Sequence, residues 1–492
     1  MTANYKFYKG SLIIIAGIVL GKILAMTNNI ILARCLDPYY FGLFFLGISI
    51  LEILSVPANF GIPGVLPKLV AQYKAQNNKV LIEKTVSVSL GICFIISLFF
   101  SIILFSYADL IAKDIFKSKD LAPLLSVFAW LIPFYVNIFV LISVLRGYQA
   151  PHLKVLYQDI LPQFLKILFF ILLFYAGFGF KAAYFSFAIS TLVIFSLTFI
   201  KLKTNFVKNL KIRFKAPGLG LPLIKLAWPL SLQSLIWVIY SQIDRLSIGF
   251  YLSPREVGIY CAAFSLAALL SIIPQGFSFL SLPEFSKLLA ENSFDKFKII
   301  FRQIAGLIFA ISLPLFICLT IFAEDLLKLL YGPDFVDGFT VIIILSSGLL
   351  INTLWGPASD ALVGAGHTKS LLLSTLCGCI ANIIFNILFI PLFGIKGAAL
   401  ATSISMIISY SVTGIFNYHY FKLFPLNIHY LSWAILCSLF GMILAKIQLK
   451  FIFFNYPLFD IILKSAGYLI ILCLIRYFFF YKRRIIPVGK NA

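Results

Sequence analysis

The chain is predicted to be an all-α polytopic membrane protein with about 14 transmembrane helices, as two pseudo-symmetric six-helix lobes plus two C-terminal helices. Three observations predict this. Hydrophobic residues make up 61% of the 492 positions and charged residues only 12%, against roughly 25% charged in soluble domains. Apolar runs long enough to cross a bilayer, about 20 residues each, recur along the whole chain. Short motifs recur at one fixed spacing in the two halves, the mark of an internal repeat.

The apolar runs fall at 10–33, 41–64, 85–107, 121–145, 155–176 and 180–200 in the first half. They fall at 222–250, 256–281, 299–322, 339–362, 369–390 and 396–417 in the second, with 429–447 and 457–480 appended. Lys6 and Lys9 precede the first run, which is too long for a signal-peptide core and is read as a spanning helix. Prolines inside runs, such as Pro57, Pro133, Pro162, Pro229, Pro274 and Pro314, are expected to kink their helices.

The repeat is clearest around two hairpins. His152, Lys154, Gly179, Lys181 and Ala183 lie 215 positions before His367, Lys369, Gly394, Lys396 and Ala398. Leu36, Pro38 and Gly42 lie 216 positions before Leu252, Pro254 and Gly258, and Leu66-Pro67 the same distance before Leu282-Pro283. The expected division is an N-lobe over 1–203, a basic cytoplasmic linker over 204–221, a C-lobe over 222–420, and helices 13 and 14 with a basic tail over 421–492. Six helices per half give both halves the same sense in the membrane, so their pseudo-axis runs along the membrane normal.

Charge sets the orientation. Of the 40 Lys and Arg, 5 fall inside spans; with the N-terminus placed inside, 25 of the others lie in cytoplasmic segments and 10 outside. Both termini are therefore expected in the cytoplasm, in a multi-pass protein of the plasma (inner) membrane. The net charge of +22 then faces anionic headgroups, so the expected partner is membrane lipid and no nucleic acid. The eight Cys show no metal spacing and read as small packing residues. No Ser-His-Asp set, paired carboxylates, HExxH or glycine-rich phosphate loop is present. No catalytic residue, metal or cofactor is assigned.

What remains is the set of ions inside spans: Lys22, Glu52, Asp159, Lys166, Asp244, Arg245, Asp360, Asp460, Lys464 and Arg476. Each costs about 2.5–3.5 kcal/mol at a helix centre on insertion scales, so it should face a protein interior or water. Lys22 on helix 1 and Arg245 on helix 7 occupy repeat-equivalent helices and are expected to line the gap between the halves. Cations there suit an anion such as a phosphate or diphosphate. The candidate substrate-binding residues are Lys22, Arg245, Asp244, Glu52 and Lys166; the candidates for ion coupling are Asp159, Glu52 and Asp244. The structural alternatives are that Lys22 snorkels to the interface and that Asp244-Arg245 is a local polar patch. Asp159 and Lys166, seven apart, share a helix face. Asp360, Asp460, Lys464 and Arg476 are read as structural, Asp460 and Lys464 as an i,i+4 pair. His152 and His367 are read as turn residues.

Leu32-Ala33-Arg34 with Leu36-Asp37-Pro38 and Phe41-Gly42-Leu43-Phe44, Ile243-Asp244-Arg245 with Val257-Gly258-Ile259-Tyr260, Gly364–Lys369 and the Pro391–Thr402 hairpin together resemble the polysaccharide-biosynthesis flippases. These include the O-antigen flippases and belong to the multidrug/oligosaccharidyl-lipid/polysaccharide exporter superfamily. The resemblance implies fourteen helices in two lobes around a V-shaped cavity. It implies transfer of a polyprenyl-diphosphate-linked glycan from the inner to the outer leaflet by alternating access, with a cationic cavity for the diphosphate and glycan-assembly enzymes as partners. Two other readings are kept: a cation-coupled multidrug exporter of the same superfamily, and a membrane glycan polymerase or glycosyltransferase. Exporters usually have twelve helices and rely on acids in the first lobe; the enzymes usually carry sizeable loops, and none is visible here.

Overall fold

The computed structural model of the chain describes residues 2–207 and 220–423. The expected helices at 429–447 and 457–480, the ions Asp460, Lys464 and Arg476, and most of the basic linker lie outside the described residues. Among the described residues every regular element is a helix, and twelve helices are long and apolar enough to cross a membrane. The protein is thus a multi-pass membrane protein. Its surface agrees: Tyr175, Leu392 and Trp130 are 86%, 72% and 67% exposed, a pattern suited to lipid and costly in water.

The chain forms two compact units. The first comprises the described parts of Met1–Ala262 with Thr375–Ala401. It contains α1 (Thr2–Cys35), α2 (Pro38–Asn59), α3 (Ile62–Ala75), α4 (Lys79–Leu110), α5 (Leu121–Gly147), α6 (Pro151–Lys154), α7 (Leu161–Leu173), α8 (Lys181–Asn205), α9 (Gly220–Tyr251) and the start of α10 (Pro254–Ala267). The second comprises Ala263–Ser374 with the described part of Thr402–Ala492. It contains α11 (Ile272–Ala290), α12 (Phe294–Ile321), α13 (Ala323–Leu330), α14 (Phe339–Trp355) and α15 (Ala358–Gly364). The boundaries also cut two long helices, α16 (Thr368–Phe393) and α17 (Ile395–Phe421).

Local chemistry sets the ends of these helices. Pro38 opens α2 with its missing N–H at no cost, and Asp37 Oδ1 accepts from Tyr40 N at 2.9 Å to cap it. Asn78 caps α4 through Leu81 N at 3.0 Å. The hairpin between α16 and α17 turns on one residue, Gly394, at φ +60°. Gly179, 215 positions earlier, stands at φ +53° before α8. A Cβ on Gly397 would lie 2.1 Å from the Phe389 carbonyl oxygen, so the two arms of the α16–α17 turn close on bare backbone.

Four of the expected spans are not continuous α-helix. The run 41–64 breaks at Phe60 (φ 50°) and Gly61 (φ +72°), where α3 begins. The run 339–362 breaks at Gly356 (φ +49°) before Pro357, which restricts the residue ahead of it. The run 155–176 opens on π-helix over Val155–Ile160 and ends in a second π segment, Phe174–Phe178. The run 256–281 passes through a 3₁₀ turn, Ala268–Ser271, just before Pro274. Uniform hydropathy hides such breaks, because apolar glycine- and proline-bearing stretches score like helix.

The repeated Pro-x-x-x-Gly motifs touch each other within the first unit. A Cβ on Gly42 would meet the Pro254 carbonyl oxygen at 1.7 Å, and one on Gly258 the Pro38 carbonyl oxygen at 2.0 Å. Backbones at that separation tolerate only glycine, the small-residue contact that drives membrane helices together. A second such contact uses Gly17-x-x-x-Gly21 on α1. Gly17 packs on Val155 and Gly21 on the Asp159 backbone, both in the π segment.

In the second unit, Phe285, Phe297, Phe301 and Phe421 form a core with Ala358, Ala361 and Leu362 of α15. Asp360 fixes α15 to α11: Ser278 Oγ donates to Oδ1 at 2.6 Å and Ser281 Oγ to Oδ2 at 2.5 Å. Asp360→Ala is expected to lower stability by about 2 kcal/mol, since it removes two hydrogen bonds to a carboxylate. A melting midpoint in detergent equal to that of the parent protein would exclude this anchoring role.

Candidate functional site

All six candidate residues lie in the first unit. Each stands on a helix interior that hydropathy demands be apolar, so each needs a partner. Glu52 finds one on α9. Its Oε2 accepts from Gln242 Nε2 at 2.5 Å. The Gln242 Oε1 accepts in turn from Ser49 Oγ at 2.9 Å and Arg245 Nη1 at 2.8 Å. Ser49 and Glu52, three apart on α2, thus face Gln242 and Arg245, three apart on α9. The Arg245 guanidinium also lies over the Phe45 ring, 5.4 Å from its centre. Glu52 is further within electrostatic range of Lys166 on α7. Lys166 Nζ sits 4.6 Å from the centre of the Phe187 ring.

Asp159 is the second acid. Its Oδ2 forms an ion pair with Lys154 Nζ at 3.0 Å, and Lys22 on α1 lies within its electrostatic range. The glycine contact described above causes this: Gly21 packed on the Asp159 backbone holds Lys22, the next residue, beside that carboxylate. The π segment carries Asp159 outside ordinary helical register, a geometry that recurs at functional sites.

A cavity of about 270 Å³ joins the two acids. Glu52, Asp159 and Lys166 line it, with Tyr135, Tyr157, Gln158, Gln163, Ser190 and Thr191. Lys22 and Arg245 reach the site through its acids rather than by lining this cavity: Lys22 faces Asp159, and Arg245 joins Glu52 through Gln242. Asp244 is engaged elsewhere. It is 5% exposed and accepts from Tyr260 Oη at 2.9 Å and Asn386 Nδ2 at 2.8 Å. Consecutive helical residues point about 100° apart, so Asp244 bonds Tyr260 and Asn386 while Arg245 bonds Gln242, with Cys261 in electrostatic range of both.

Several residues of the site escape a count of ions. Gln242, 6% exposed, bridges the charges, and its signal was a polar residue three positions before Arg245. Asn386 and Tyr260 carry no such signal, since neutral polar residues are common in spans. Gln242→Leu is expected to cost about 2–3 kcal/mol, because it leaves Glu52 and Arg245 without their shared hydrogen-bond partner. Thermal unfolding of the purified variant measures this directly, and an unchanged midpoint would show the bridge to be energetically idle.

Two family profiles match the sequence. The profile of polysaccharide biosynthesis proteins matches residues 7–289, and that of MatE matches residues 229–388. The probable low-salt glycan biosynthesis flippase Agl15 of Haloferax volcanii is 23% identical over 215 residues, 43% of this chain and 44% of that protein. The probable flippase AglR of the same organism is 28% identical over 273 residues, 53% of this chain and 54% of that protein. The chain therefore matches about half the length of these two relatives. Among solved structures, the lipid II flippase MurJ in an inward closed conformation superposes with a TM-score of 0.73 at 18% identity, covering 95% of this chain and 99% of that one. That likeness is one of fold. With more than half of its residues matched by the first profile, the chain belongs to the polysaccharide biosynthesis protein family.

Proposed function

We propose that the protein is a flippase that moves a polyprenyl-diphosphate-linked oligosaccharide from the cytoplasmic to the outer leaflet for cell-surface polysaccharide biosynthesis. The observation that carries this reading is the cluster of three cations and two acids, Lys22, Lys166 and Arg245 with Glu52 and Asp159, held in one unit of a membrane protein of this family. Cations in a span are stable only when matched by acids or by an arriving anion. A diphosphate can bind Arg245 and Lys22 by charge-assisted hydrogen bonds, where the resting protein balances Arg245 with Glu52 through Gln242 and Lys22 with Asp159 nearby. The prenyl chain stays in lipid. Protein relatives named as flippases support the same class of activity.

In this reading the two halves, 1–203 and 222–420, are the moving bodies of an alternating-access cycle. Both termini face the cytoplasm of a plasma (inner) membrane protein, and the protein makes and breaks no covalent bond. Glu52, Asp159 and Asp244 are the groups available to take up a proton or Na⁺ as a charged headgroup crosses. The MatE match over 229–388 keeps a cation-coupled drug exporter as the second reading. Proteoliposomes separate the two. Flipping of a fluorescent lipid-linked oligosaccharide, read by quenching from outside, supports the flippase. Cation-driven extrusion of a lipophilic dye without glycolipid transfer supports the exporter.

A further inference from the structure

We infer that Phe187 is a positioning residue for the proposed transport: the face of its ring, in place of a carboxylate, holds the Lys166 ammonium in the cavity and keeps that charge ready for an arriving anion. The inference rests on the flippase reading above and adds how one cation of the site is held while the site is empty.

The three cations of the cluster are held in different ways. Arg245 Nη1 donates to Gln242 Oε1 at 2.8 Å. Lys22 has Asp159 within electrostatic range. Lys166 has Glu52 within electrostatic range, yet among the described residues it makes no hydrogen bond and no ion pair. Both acids are engaged elsewhere. Glu52 Oε2 accepts from Gln242 Nε2 at 2.5 Å, and Asp159 Oδ2 pairs with Lys154 Nζ at 3.0 Å. Lys166 meets the Phe187 ring instead, with Nζ 4.6 Å from its centre. A ring face attracts a cation within about 6 Å of its centre.

The surroundings fix that ring. Phe187 stands on α8, which packs beside α7, and is 4% exposed. Its ring centre lies 5.2 Å from that of Phe128, 6.1 Å from that of Tyr135 and 6.3 Å from that of Phe44. Close-packed aromatic neighbours hold a ring in one orientation. Lys166 carries its charge on a flexible stem, so the fixed ring decides where the ammonium rests. Both side chains line the same cavity.

The consequence lies in what an anion must displace. A carboxylate bound directly to Lys166 would carry a full negative charge and compete with a diphosphate. A ring face attracts the ammonium through its quadrupole and carries no net charge. A diphosphate oxygen can then approach the side of the ammonium away from the ring with nothing to expel, using one of its three N–H donors. Weakening the face would free the stem to turn toward Glu52, and the closed ion pair would oppose binding.

The test uses the full-length protein in detergent with a short-chain prenyl diphosphate as the probe. Fluorine on a phenyl ring withdraws electron density from its face with little change of shape. Replacing Phe187 by trifluorophenylalanine therefore weakens the cation contact and keeps the packing. That replacement is expected to weaken binding of the probe by about three- to tenfold. Lys166→Met is expected to weaken it by at least about tenfold, and in that background the fluorinated ring is expected to change affinity by less than about twofold. Monofluorophenylalanine gives the same comparison with a smaller step if the first protein is not recovered folded. Equal affinity with either ring in the lysine-bearing protein, or an equal loss in both backgrounds, overturns the positioning role and leaves the diphosphate reading intact. Parent-like binding by Lys166→Met alone also overturns that role. Parent-like binding by Lys166→Met, Lys22→Ala and Arg245→Ala together overturns the diphosphate reading as well.

Discussion

Replacing Arg245 with alanine is expected to lower glycolipid flipping in proteoliposomes by at least about tenfold, and Lys22→Ala by a similar or smaller factor. Each side chain is assigned to the diphosphate, and one hydrogen bond to a charged group contributes about 1.5–3 kcal/mol, where 1.4 kcal/mol is a factor of ten. The two variants differ in what they leave behind. Without Lys22, Asp159 keeps its ion pair with Lys154 at 3.0 Å, so the resting protein changes little. Without Arg245, Gln242 loses one of its bonds and Glu52 one of two neighbouring cations. Arg245→Lys is expected to fall between the parent and Arg245→Ala, because it keeps the charge and loses the planar fork. Transport by all three variants at the parent rate, with normal amounts of folded protein, would remove these residues from the site.

Much of the fold was legible in the sequence because hydropathy reports directly on solvent. Twelve of the expected apolar runs correspond to the twelve helices that can cross a membrane among the described residues. The breaks at Gly61 and Gly356 were not legible, since what matters there is a backbone angle that an apolar stretch does not betray. The candidate site was half legible. Buried charge is costly enough that Glu52, Asp159, Lys166 and Arg245 stood out as residue types. Their partners did not: Gln242 and the cavity residues Tyr135 and Gln163 are of types that spans tolerate without a functional reason. The approach of Lys22 to Asp159 depends on a glycine contact and a π segment, neither of which follows from counting charges. Asp244 and Arg245 are adjacent in sequence, yet their hydrogen bonds go to Tyr260 and to Gln242, a division that adjacency does not betray.

The largest structural effect is expected at Gly42. Gly42→Ala would set a methyl group 1.7 Å from the Pro254 carbonyl oxygen and 2.7 Å from the Gly258 nitrogen. Both are backbone atoms, so no side-chain rotation relieves the clash, and α2 and α10 must separate. Overpacking of side chains costs about 1–3 kcal/mol; a backbone clash of this depth belongs at or above the upper end. Gly258→Ala should behave alike, because its Cβ would meet the Pro38 carbonyl oxygen at 2.0 Å. The two losses should not add: once one methyl has opened the crossing, the second enters a gap already made. Gly276→Ala supplies the contrast. It is also a helical glycine, but its Cβ would have nothing within 4 Å, so alanine there should be neutral or stabilising by up to about 1 kcal/mol. Melting of the three single variants and the Gly42→Ala/Gly258→Ala double variant in one detergent checks the set. Equal midpoints for Gly42→Ala and Gly276→Ala would mean that the repeated glycines do not hold α2 against α10. The reciprocity also explains why both copies of the motif keep proline and glycine four apart: each proline supplies the carbonyl that the other copy's glycine must clear.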